Sequence, residues 1–98
     1  MTLRAHPVEQ PATLPDGRHV VVRVGIADDP YIPRRESDTV ALELLEDEGV
    51  AATVNTILRP EHESEALALA RDVAARLESG DLEPTAGALE PLADSIPP

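Results

Sequence analysis

Between Pro60 and Ser79 the chain admits one local conformation. Ala66, Leu69, Ala70, Val73, Ala74 and Leu77 recur at spacings of three, one, three, one and three residues, which draws an apolar stripe down one side of an α-helix. Pro60 suits the first helical position, Glu61 and Glu63 suit the positive end of the helix dipole, and Gly80 suits the residue that stops the helix. Asp72 and Arg76, four apart, pair on the wet side. Such a helix must bury its stripe against something. The segment His19 to Ala27 supplies a partner, because Val20, Val22, Val24 and Ile26 share one face while His19, Val21, Arg23 and Gly25 share the other, the pattern of a strand with one buried face. A turn at Leu14-Pro15-Asp16-Gly17-Arg18 precedes it.

The segment from Asp38 to Gly49 has two readings. As a helix it is capped by Ser37 or Asp38, carries an apolar arc of Val40, Ala41, Leu44 and Leu45, and stops at Gly49. Its content of Ala, Leu and Glu favours that choice. As a strand it forms a hairpin over Asp47-Glu48-Gly49 with the segment Val50 to Leu58. The hairpin register sets Leu44 opposite Ala52, Leu42 opposite Val54 and Val40 opposite Thr56. Val50, Ala52, Val54 and Leu58 are then buried, and Arg23, Glu43, Thr53 and Asn55 share the open face. Three strands agree on one buried face, and such consistency between levels favours the strand. The expected fold is therefore α+β, a three-stranded antiparallel sheet covered by one long helix, with a short C-terminal segment. The alternative is α/β, strand–helix–strand–helix with two parallel strands.

In that alternative, Ser37-Asp38-Thr39-Val40-Ala41-Leu42-Glu43-Leu44-Leu45-Glu46-Asp47-Glu48-Gly49 resembles the first helix of the molybdopterin-binding domain of molybdenum-cofactor biosynthesis proteins, and Ile57-Leu58-Arg59-Pro60-Glu61 is similar to the end of its second strand. Asp38 stands where that family has glycine, and the family's Thr-Gly-Gly-Thr-Gly loop has no counterpart. No binding residue carries over, and membership is not assigned.

Residues 1–13, with Pro7 and Pro11, lack sustained periodicity and read as a flexible N-terminal arm. Residues 14–98 read as one small domain. The stretch 28–36 is a proline-interrupted loop holding Tyr31. In the tail, Thr85 caps a short helix through which Leu89 and Leu92 dock on the body.

Composition narrows the partners. The 98 residues carry 19 carboxylates against 8 basic groups, a formal net charge of -11, and every basic residue is arginine. A surface this acidic repels phosphates and anionic membranes. Nucleic-acid modules need basic tracks and stacking rings, so neither nucleic acid nor membrane is an expected partner. Mimicry of DNA by the carboxylates is an alternative. Tyr31 is the one aromatic residue, so the core has to be built from Val, Leu, Ile and Ala. Without cysteine there are no disulfides or thiolate metal sites. With no leader-like N-terminus and no apolar run of the ~18 residues a membrane span needs, a soluble, cytoplasmic protein is expected.

No constellation carries an enzyme signature. His6, His19 and His62 include no pair three or four residues apart, so a helical zinc motif is missing. Asp28 and Asp29 close the strand 19–27 and read as a loop cap and a solvated charge. Glu46-Asp47-Glu48 lacks the alternating ligands of a calcium loop. The four serines have no nucleophile-elbow context. No cofactor is expected. Arg34 and Arg35 beside Tyr31 form the one local basic spot, an arginine–aromatic grouping common in interfaces, although pairing with Glu36 in a solvated loop is the plainer reading.

These observations lead to the expectation of a small acidic non-catalytic interaction or assembly protein that forms a homodimer, with Tyr31, Arg34, Arg35, Val21, Arg23 and Ile57 as candidate contact residues. The alternative is a small-molecule site or enzyme using the 28–36 loop. The missing lysine has two explanations, the codon bias of a GC-rich genome or adaptation to high salt, in which screening relieves carboxylate repulsion. Thermal unfolding with and without molar KCl separates them: a salt-adapted chain melts higher in salt, and indifference to salt leaves codon bias.

Overall fold

A computed structural model of the chain describes residues 3, 6–27, 31, 38–47 and 49–94. Four strands, β1 (Val8–Thr13), β2 (His19–Ile26), β3 (Val40–Glu46) and β4 (Gly49–Asn55), are followed by two helices, α1 (Glu63–Ser79) and α2 (Ala86–Asp94). The strands form an antiparallel meander in the order β1-β2-β3-β4. α1 packs against β1 and β2, α2 packs against β4, and the helices touch each other.

The expected three-stranded sheet with one long helix is corrected on both counts. The additional strand, β1, comes from the segment read as an arm. Val8, Gln10 and Ala12 pair with Val24, Val22 and Val20, and Leu3 is fully buried with its N–H donated to the Pro60 carbonyl at 2.9 Å. Pro11 does not break the strand. Leu14 N–H donates to the Arg18 carbonyl at 2.8 Å, so the even positions of β1 face β2 and the odd positions face away. A proline is tolerated there because no ladder N–H is lost. The second helix, α2, is the C-terminal segment itself. The Thr85 hydroxyl accepts the Ala88 N–H at 3.2 Å, and Leu89 is fully buried.

The segment 40–46 is a strand, which removes the α/β alternative and with it the molybdopterin-domain similarity. Leu42 lies opposite Val54 and Leu44 opposite Ala52, while Thr56 N–H donates to the Val40 carbonyl at 2.8 Å. Helix propensity loses here to a partner on each side, since β3 pairs with both β2 and β4. At the turn end the pairing slips, with Leu45 opposite Val50 while Leu44 is opposite Ala52. The extra residue is a β-bulge, which ends the alternation. Val50, expected inside, is consequently 53% exposed.

The turn between β1 and β2 is a three-residue hairpin loop. Gly17 N–H donates to the Leu14 carbonyl at 2.9 Å across Pro15 and Asp16, and Gly17 takes φ 94°, a conformation that favours glycine. α1 begins at Glu63 rather than at Pro60. His62 is its N-cap, Arg59 N–H donates to His62 Nδ1 at 3.0 Å, and Gly80 ends the helix at φ 84°.

All six stripe residues of α1 are buried. They meet the inner faces of the strands in one aliphatic cluster that includes Val22, Val24, Leu42, Leu44, Leu77 and Leu89. One close approach lies on the other face. A Cβ on Gly25 would stand 2.8 Å from Pro7 Cβ and 3.3 Å from Pro7 Cα. Gly25→Ala is therefore expected to destabilise the fold by about 1–3 kcal/mol through overpacking. Pro7→Gly, which removes the opposing Cβ, should recover part of that loss in a double-mutant cycle read by urea unfolding. An equal cost in both backgrounds would contradict the contact.

Candidate functional site

Both helices lie on one side of the sheet, so any surface the strands present lies on the other. Glu9, Arg23, Glu43 and Thr53 form one cross-strand row there. Arg23 donates through Nε and Nη2 to Glu43 Oε1 at 3.1 and 2.8 Å, a half-buried pair at the middle of the face. Pro11, Val21 and Leu45 form the adjacent row, and both Val21 and Leu45 are half-buried. On the far side of the Arg23 row, Gly25 pairs with Ala41, and both are buried.

At the turn end of the sheet, Thr13 Oγ1 lies 3.2 Å from His19 Nδ1. Arg18 donates from Nε to Asp16 Oδ2 at 2.8 Å and from Nη1 to Glu46 Oε1 at 3.3 Å. Pro11, Thr13, His19, Val21, Leu45 and Asp47 line a shallow open depression of about 390 Å³ there. A hydroxyl beside an imidazole has the makings of a nucleophile and its base, but a working pair also needs a group that orients the base and donors for the developing charge. The nearby carboxylate of Glu46 is spent on Arg18. The arrangement matches a cross-strand hydrogen-bonded pair.

The edges of the sheet differ. Along β1 the backbone groups of the odd positions point away from the sheet, one of those positions is Pro11, and Pro7 immediately precedes the strand. Along β4 the Thr56–Val40 bond directs the even positions toward β3, so Thr53 and Asn55 turn their N–H and carbonyl groups outward. The side chains of Ala51, Thr53 and Asn55 are all exposed. The strand Gly49–Asn55 contains no charged residue and no proline.

Among the residues singled out from sequence, Val21 and Arg23 do share the open face, Val21 in the apolar row and Arg23 tied to Glu43. Ile57 lies beyond the end of β4, 49% exposed, and Tyr31 is 92% exposed. Arg34 and Arg35 lie outside the described residues, as do Asp28 and Asp29. Sequence reasoning did not find Pro11 and Val50 as surface residues, nor the outward backbone of β4. The prolines four apart at 7 and 11, read from sequence as part of an arm, are the signal that could have marked residues 8–13 as an edge strand. Among the described residues, no group of three or more His, Asp or Glu comes together to hold a metal ion, and no helix is long and apolar enough to cross a membrane. Comparison with protein-family models, with curated proteins and with solved structures finds no match.

One carboxylate has a displaced acidity. The Arg18 backbone N–H, 3.0 Å from Asp16 Oδ1, holds Asp16 below its ordinary value of 3.8 against an opposing desolvation, with the Arg18 guanidinium adding to the lowering. A depressed folded-state pKa gives a contribution that is complete above the unfolded value and lost as pH falls through the folded one. Asp16 should therefore titrate below 3.8 by carboxyl NMR. In Asp16→Asn the acid-induced loosening of the β1–β2 turn should be smaller than in the native chain.

Proposed function

We propose that this protein is a small non-catalytic interaction or assembly module of the cytoplasm that works by contact and forms a homodimer. The observation that supports this reading is that Arg23, His19 and Arg18, on the open face and at its turn end, are already paired within the chain. Arg23 is taken by Glu43, His19 by Thr13, and Arg18 by Asp16 and Glu46. Pro11, Val21 and Leu45 and the backbone edge of β4 are left for an incoming molecule, and these are groups that bind a polypeptide.

A second copy fits this chemistry because the contact elements are apolar or uncharged while the rest of the chain is strongly acidic. Ligand binding in the depression beside Thr13 and His19 is the competing reading. A metabolite panel read by thermal shift tests it, since a ligand bound by the native state alone raises the melting temperature.

Self-repulsion at a net charge of -11 opposes dimerisation in dilute buffer. The Debye length falls from ~10 Å at 0.1 M salt to ~3 Å at 1 M, so association should strengthen with salt. Sedimentation equilibrium at low and molar salt checks this, and a monomer at high protein concentration in both would remove the dimer.

A further inference from the structure

We draw no further inference here: the strongest candidate, the outward face of α1, where the exposed Ser64, Ala68 and Ala75 line up with Arg71 and Glu78, is a stripe of small residues between surface charges, and nothing in the structure shows what covers it.

Discussion

The structure depends on how closely α1 can approach the sheet. With a single aromatic residue in the chain, and that one exposed, no ring is available to bridge a wide gap between layers. The layers have to come together instead. Ala66, Ala70 and Ala74 alternate with Leu69, Val73 and Leu77 along the buried side of α1, so small residues set the distance and branched ones fill the grooves between strand side chains. Each large aliphatic buried this way contributes about 1.5–3 kcal/mol. In so small a chain few can be spared, and α2 brings Leu89 and Ala93 to complete the layer over β4.

That single-sided packing determines where interactions can occur. Two helices on one face consume the apolar alternation of all four strands and leave the other face with Arg23 tied to Glu43 at its middle. The ends of the meander then matter more than its middle. β1 lies under α1 and carries Pro11 at an outward position, whereas β4 is uncharged and packs against the short α2. Carboxylates dominate the charged surface of the chain, whereas the strand Gly49–Asn55 itself is built of glycine, valine, alanine, threonine and asparagine.

Legibility in the sequence followed the number of constraints acting on each element. The buried stripe of α1 was readable to the residue because six positions obey one period. The 40–46 strand was readable against its own propensity because the hairpin register matched Leu42 to Val54 and Leu44 to Ala52. β1 was not. Its inward residues, Val8, Gln10 and Ala12, form a weak apolar pattern, and its prolines are strand breakers unless the strand lies at an edge. Val50 was misplaced because the bulge inserts a residue where a hairpin of fixed period has none. Of the candidate contact residues, Val21 and Arg23 fall on the face expected of them. What that face offers could not be read from the sequence, because the ties of Arg23 to Glu43 and of Thr13 to His19 are made across strands.

By itself, then, the sequence determined the periodic elements, the hairpin partners, the aliphatic nature of the core and the acidic surface. These depend on residue type and on spacing along a few turns or a few strand residues. Tertiary structure alone decided that residues 8–13 pair as a strand, that β1 and β4 are the edges, and that Pro11 stands at an outward position of one of them. Those properties belong to backbone groups, whose direction is set by the neighbouring strand and not by the side chain they carry. Proline at position 11 is a breaker in isolation and a guard in the sheet, because only the assembled sheet specifies which N–H groups have to be present.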